Sequence, residues 1–450
     1  MGKGNGSGVR RGGLRRNARI ERLRVMVPVT NAVLGVDLGE KKQALALVDR
    51  DGRVLARRSP RLTVHELGGV LDWAAERARA GGFAGVTVSC EPTGPRWMVL
   101  QELCRRRDLP FVCVQPLVTH VAREQEDLTG DKTDEGDTVL IARLTRQLQC
   151  YVPEVLDPAW AELRAAGRDR AAQITRATAA RQLIRDHLGL AVPALLAVHS
   201  DPLDSPTWLA SVQVVLERCG GDLDAVMAMG REAFTAAVAA KLAAWGGKRT
   251  GPTAAKVLAA LAGAAVLPRM MRAAARRVAG ALEDLQHATS RRARLEGQMT
   301  ALLAELGIDH ERICQIPGLT PAGLAAILAE TGDLRRYRSS SSVVKHAGMS
   351  PARNESGSFH GQAKMSRRGR PALRLAAWRA TWAVLRHCDV LAAKHAALTS
   401  RDTSPLADGQ ARVACAASLL RWIWSLTVHG TRWDPRIAAG QLSHHHAMAA

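Results

Sequence analysis

Two apolar runs open the patterned part of the chain, Val33 to Asp37 and Gln43 to Asp49. Asp51-Gly52 follows as a turn, and Val54 and Leu55 restart an extended segment, so this stretch predicts a β-meander with a tight Asp-Gly hairpin. Leu67 to Ala80 has helical spacing. Val86 to Cys90 reads as a buried strand that stops at Glu91-Pro92-Thr93-Gly94. Trp97 to Arg107 reads as a helix, Phe111 to Val114 as a strand, and Thr138 to Gln147 as a further helix.

Hairpin strands followed by strands alternating with helices indicate an α/β domain. The order β-β-β-α-β-α-β-α is that of an RNase H-like fold. From about 157 to 306 the pattern turns helical: Leu163, Ile174, Leu183, Ile184 and Leu188 suit a long amphipathic helix rich in Arg. Residues 201–250, punctuated by Pro, Gly and Trp, fit no clear element. Leu282, Leu285, Ala288, Leu295, Met299, Leu302 and Leu306 then form a coiled-coil-like stripe, interrupted by Arg292 at an inward position. Such a stripe serves either a helical hairpin packed on itself or a dimer seam. Past 308, Ile316-Pro317-Gly318-Leu319-Thr320 leads into a helix from Pro321 to Thr331 and is similar to a helix-hairpin-helix signature, in which glycine lets backbone amides approach a phosphate. A capped helix start gives the same pattern. A polar Ser-rich loop, a Gly/Ser/Arg-rich stretch from Ser350 to Arg370 and a Trp-containing helix opened by Pro371 complete the chain.

Composition narrows the partners. Lys+Arg 63 against Asp+Glu 42 gives a formal net charge of +21 over 450 residues, the balance of a polyanion binder. The eight cysteines include no C-x-x-C pair, which argues against a zinc knuckle or redox motif and for reduced thiols in a cytoplasmic protein. No run of about 18 apolar residues predicts a membrane span. The Gly- and Arg-rich start, residues 1–30, reads as a basic flexible arm, and 431–450, with His444, His445 and His446, as a flexible tail.

Candidate chemistry lies in four acids and a serine. Asp37 ends the first apolar strand, Glu91 ends a later one, and Asp134 and Asp137 stand three apart where a helix begins, hence on one helix face. If the strands pair as proposed, all four converge at one sheet edge, where two Mg²⁺ ions would offset their repulsion and align a phosphodiester for in-line attack. Asp131 is a rival for the helix pair; Glu40, Asp127 and Glu135 read as surface charges. Ser356 lies in the polar segment Asn354-Glu355-Ser356-Gly357-Ser358, followed by Lys364, Arg367, Arg368, Arg370 and Arg374. A hydroxyl beside such cations could attack a phosphodiester, and the cations would stabilise the developing charge. The same stretch also suits a phosphate-contacting loop.

Taken in order, GVDLGEKK, CEPTGPRW, DKTDEGDTVLIARL, IPGLTPAGLAAILAETGDLRRY, KHAGMSPARNESGS and KMSRRGRPALRLAAW resemble the DEDD transposases of the IS-one-ten insertion-sequence family. The resemblance covers roughly 31–150 and 305–390, with Gly369-Arg370 where the family usually has Gly-Asn. It implies a RuvC-like DEDD domain over 31–150, a helical, coiled-coil-like region over 151–306 and a mainly α serine transposase domain over 307–430. It also implies Asp37, Glu91, Asp134 and Asp137 as Mg²⁺ (or Mn²⁺) ligands and Ser356 as a nucleophile forming a transient phosphoserine link to DNA. Gly318, Lys364, Arg367, Arg368, Arg370 and Arg374 are the expected nucleic-acid contacts. The implied partners are donor and target DNA, a non-coding bridge RNA and further copies of the chain, in a dimer or tetramer on the bacterial nucleoid. Three other readings compete. A RuvC-like Holliday-junction endonuclease would use water instead of Ser356. A sugar-kinase or actin-like ATPase would need a second phosphate loop, which the sequence lacks. A non-enzymatic nucleic-acid-binding protein would not need converging acids.

Overall fold

The computed structural model describes residues 11–39, 42–61, 63–126, 134–155, 157–264, 268–352, 355–356, 359–360 and 364–440. Asp131, Asp127, Glu40 and the His444–His446 run lie outside them. The chain divides into two compact units, one ending at Val155 and one beginning at Leu156.

The first unit is a five-stranded mixed sheet between helices. In chain order its elements are α1 (Arg11–Met26), β1 (Asn31–Leu38), β2 (Gln43–Val48), β3 (Val54–Arg58), α2 (Val64–Ala80), β4 (Gly85–Cys90), α3 (Arg96–Arg105), β5 (Phe111–Cys113), α4 (Pro116–Glu126) and α5 (Asp134–Arg146). The strand order is β3-β2-β1-β4-β5; β1 runs antiparallel to β2 and parallel to β4, and β5 is parallel to β4. Side chains alternate across a strand, and the two sheet faces separate accordingly. Ala32, Leu34 and Val36 of β1 and Val86, Val88 and Cys90 of β4 pack with Leu67, Leu71 and Leu100 of α2 and α3. Val33, Val48 and Val112 face the other way, onto Leu140, Ile141 and Leu144 of α5.

Two departures from the sequence reading concern this second face. The stretch read as a flexible arm is helical from Arg11 to Met26, because Leu23 and then Val27 are buried in the core beneath α5. Helix α4 had no place in the predicted order. Its Val118 and Ala122 pack against the same core, while Leu117 and Val121 are exposed.

Among the described residues, the strands of the otherwise helical second unit are those of one small β-ribbon. Helix α6 (Pro158–Ala191) begins at Asp157, whose side chain caps the Ala159 amide. Short helices α7 (Pro193–Leu196), α8 (Pro206–Cys219), α9 (Leu223–Ala228), α10 (Gly230–Leu242) and α11 (Thr253–Ala262) follow, then α12 (Pro268–Glu305). The apolar stripe of α12 is satisfied within the chain, against α6. Leu282, Leu285 and Ala288 belong to a core built around Trp208 and Phe234, while Met299 and Leu302 belong to another with Leu163 and Ala166. Arg292 falls between the two cores, beside Glu296, which accepts from Arg170 Nε at 2.8 Å. The inward arginine therefore marks a polar interval in the seam.

The C-terminal part consists of α13 (His310–Ile313), α14 (Pro321–Thr331), α15 (Ser340–His346), strands β6 (Pro351–Ala352), β7 (Glu355–Ser356), β8 (Phe359–His360) and β9 (Lys364–Met365), then α16 (Pro371–His387), α17 (Asp389–Ser400) and α18 (Asp408–His429). The polar serine segment is thus two nested antiparallel pairs, β6 with β9 and β7 with β8. The expected tail is also packed at its start. Arg312 Nη1 donates to the Leu426 and Thr431 carbonyls at 2.6 and 2.9 Å, and Trp433 lies edge-on to Trp422. Among the described residues no helix is long and apolar enough to cross a membrane.

Candidate active site

The sheet register brings Asp37 and Glu91 together. The last parallel pair of β1 and β4 is Val36 with Cys90, so Asp37 and Glu91 each stand one residue beyond it, at the same C-terminal edge. Alternation fixes their face. Gly35 and Asp37 share the side of β1 that packs on α5, and Glu91 follows Cys90, which faces the opposite core. Gly35 sets the closeness of that packing: a Cβ there would lie 2.0 Å from the Thr138 carbonyl oxygen and 3.1 Å from the Ala142 Cβ. The bare glycine seats α5 against the strand beside Asp37, with Asp134 opening the helix and Asp137 one residue before Thr138.

Two of the acids are held from α4. Thr119 Oγ1 donates to Glu91 Oε2 at 2.7 Å; the Pro116 carbonyl at 2.9 Å is its alternative acceptor, and the single hydroxyl proton favours the charged carboxylate. Arg123 donates to Asp137 Oδ1 from both Nε and Nη2, at 2.8 and 2.6 Å. Asp137 is buried, 8 % exposed, and the guanidinium supplies the countercharge that burial demands. A third tie joins the loops at this edge: Arg96 Nη1 and Gln43 Nε2 donate to the Gly39 carbonyl at 2.7 and 3.2 Å. Thr119, Arg123 and Arg96 were not singled out from the sequence. The four-residue spacing of Thr119 and Arg123 is a one-turn helical signal, visible only once α4 is recognised as a helix. Glu135, read as a surface charge, is exposed and ion-paired with Arg57.

The structure thus places Asp37, Glu91 and Asp137 on one face of one sheet edge. Asp134 is at the start of α5, and its side chain lies outside the described residues. Among the described residues no three His, Cys, Asp or Glu side chains are grouped closely enough to hold a metal ion. The donor set is nevertheless carboxylate oxygen, the chemistry of hard divalent cations. The guanidinium on Asp137 shows that this edge accommodates positive charge.

In the second unit Ser356 is on β7, paired with Phe359, and its side chain lies outside the described residues. The basic residues after it divide by surroundings. Lys364, Arg367 and Arg368 are exposed. Arg370 Nε is 2.7 Å from Glu330 Oε2, a carboxylate on α14 that is 6 % exposed, and Arg374 Nη1 donates to the Ala347 carbonyl at 2.8 Å. Those two are built into the foot of the ribbon, where Gly348 and Gly369 meet backbone to backbone and Arg367 adopts a φ of 53°. Gly318 has φ +82°, and a Cβ there would lie 2.5 Å from the Ala383 carbonyl oxygen on α16. Intramolecular packing therefore suffices to require glycine at this turn.

Beside Glu330 and Arg370 lies His346, stacked edge-on against Tyr337. Burial, then the charges of Arg370, Arg336 and Arg164, push its pKa down to about 4. The ring is neutral at physiological pH, with Nε2 buried and without a hydrogen-bond partner.

Comparison with known families covers both units. Residues 34–193 match a DEDD transposase model, DEDD_Tnp_IS110, described as Transposase. Residues 310–396 match a model described as Transposase IS116/IS110/IS902 family. No curated protein matches the chain. The first match contains the sheet edge with Asp37, Glu91 and Asp137, and the second the ribbon with Ser356 and its basic flank. Together they span more than half of the 450 residues, and the chain belongs to the IS110 family of insertion-sequence transposases, an enzyme acting on DNA.

Proposed function

We propose that this transposase cuts and rejoins insertion-sequence DNA with an RNase H-like (RuvC-like) acidic site in its first unit and Ser356 as nucleophile in its second. The observation that supports the reading is the shared C-terminal edge of β1 and β4, where Asp37 and Glu91 follow the last paired residues and α5, seated against β1 through Gly35, carries Asp137. Asp37, Glu91, Asp134 and Asp137 would hold Mg²⁺, or Mn²⁺ in its place. When bound, the ion supplies charge stabilisation at the phosphodiester oxygens. The chain's own groups do the rest. Thr119 holds Glu91 in place. The Ser356 oxygen attacks phosphorus as the bond to a deoxyribose oxygen breaks, and the proton lost by the serine hydroxyl passes through solvent to that leaving oxygen. One P–O bond forms and one breaks, so the link stores the energy needed for rejoining. Lys364, Arg367 and Arg368, exposed beside the ribbon, would bind the phosphates that flank the cut.

The basic chain also suits a bridge RNA pairing with donor and target DNA, and assembly as a dimer or tetramer would let one subunit's acids serve another's serine. The eight free cysteines fit a reducing cytoplasm. Ser356→Ala is expected to abolish covalent protein–DNA adducts and strand exchange while leaving DNA binding intact; adducts surviving in that variant would refute the serine's role. Asp37→Asn is expected to remove divalent-dependent activity, and full activity would reject the acidic site. An enzyme hydrolysing with water would go on nicking DNA after Ser356→Ala. Sequencing RNA that co-purifies with the chain tests the guide.

A further inference from the structure

Helix α4 touches two of the candidate ligands. Thr119 and Arg123 stand four residues apart, on one face. The first grips Glu91 and the second Asp137. The Arg123 contact has an uncommon form. A guanidinium usually spans both oxygens of a carboxylate in a parallel fork. Here both donors converge on Oδ1, and Oδ2 takes no part in the pair. The two side chains are 23 % and 11 % exposed, so the contact is largely removed from solvent. Asp137 also shares its sheet face with Asp37 and Glu91.

We propose that Arg123 is a positioning residue that stands in for the divalent cation at Asp137, and that metal binding displaces it. The inference rests on the reading of Asp137 as a metal ligand. A buried carboxylate requires a countercharge, and this one must also be held in orientation. The guanidinium meets that need before the metal arrives: its two N–H groups fill the lone pairs of Oδ1, and a divalent ion at either oxygen of the same carboxylate would lie against its like charge. Arg123 therefore stabilises the metal-free protein and opposes metal binding. A support behind a permanent ligand would act in the opposite direction, because losing it weakens metal affinity. The sign of one measurement separates the two roles.

The test is Mn²⁺ binding to the full chain, followed by the electron paramagnetic resonance of free Mn²⁺, together with melting temperatures with and without the ion. Arg123→Gln is expected to bind Mn²⁺ on the order of tenfold more tightly, the scale of one charge-assisted contact removed from the competition. Its metal-free melting temperature should fall, and the rise on adding Mn²⁺ should exceed that of the wild type. Arg123→Lys keeps a point charge without the fork, so it should fold and bind with intermediate affinity; it carries the test if the Gln variant does not fold without metal. Unchanged or weaker Mn²⁺ affinity in these variants overturns the proposal. If wild-type protein binds Mn²⁺ and Asp37→Asn abolishes that binding while Arg123→Gln matches the wild type, the role of Arg123 fails and the acidic site stands. If the wild type binds no Mn²⁺, both fail together.

Discussion

Gly35 offers a test of how the site is built, because one methyl group there acts on both stability and chemistry. A Cβ at Gly35 would sit 2.0 Å from the Thr138 carbonyl oxygen, against about 3.4 Å for an ordinary contact, so α5 and β1 must separate by about 1.4 Å. The opposing atom is helix backbone, which cannot rotate away as a side chain would. Overpacking a close contact costs about 1–3 kcal/mol, and a carbonyl that must move with its helix puts Gly35→Ala near 3 kcal/mol. The same shift carries Asp137 away from Asp37. A misplacement of about 1 Å in a catalytic arrangement costs roughly a hundredfold in rate. The control is Gly280→Ala in α12, where a Cβ meets nothing within 4 Å. A glycine-to-alanine change in a helix interior stabilises by about 1 kcal/mol. Hydrogen exchange of the β1 and α5 amides across a urea series reads the stability term, and strand exchange reads the chemical one. Unchanged protection with full strand exchange in Gly35→Ala would show that α5 is not held by this contact and would undo the account of the sheet edge.

Other consequences follow from the second unit. Arg370→Ala leaves the buried Glu330 carboxylate without its guanidinium and is expected to cost about 3–5 kcal/mol in urea unfolding. Arg368→Ala, at an exposed position, should change stability by less than about 0.5 kcal/mol while weakening DNA binding and lowering its salt slope by about one. Equal effects of the two would contradict their different surroundings. His346 gives a pH signature. Its pKa is held at about 4 in the fold against 6.5 for a free histidine, so the unfolded chain takes up the proton first. The stabilisation is complete above pH 6.5 and is lost as pH falls toward 4. His346→Asn should flatten the acid side of the stability profile relative to wild type, and parallel profiles would reject the assignment.

Local pattern carried much of the first unit. The apolar runs around Val33, Gln43 and Val86 became β1, β2 and β4, and the helical spacing of Leu67 to Ala80 became most of α2. Those segments are strongly periodic because one or both faces are buried, and burial imprints itself on sequence. Helix α1, rich in arginine, and helix α4 were not anticipated. Charge dominated the reading of the first; the second does carry a helical pattern, Leu117, Val118, Val121 and Ala122, of which only Val118 and Ala122 meet the core. The stripe of α12 was visible, but whether it meets its own chain or another is not a property of the stripe. The presence of α6, long enough to run beside it, decided that.

The sequence by itself determined the chemical inventory: carboxylates after strands, paired acids at a helix start, a serine among guanidiniums and an excess of positive charge. These are readable because side-chain identity and spacing are local. Only the tertiary structure decided which of them meet. Parallel pairing of β1 with β4 aligns Asp37 and Glu91, an absent methyl at Gly35 lets α5 approach, and α4 delivers Thr119 and Arg123 to the same face. It also separated Arg370, held by a buried acid, from Arg368, left to solvent. Contacts between residues far apart in the chain depend on register and helix approach, and no short window of sequence contains either.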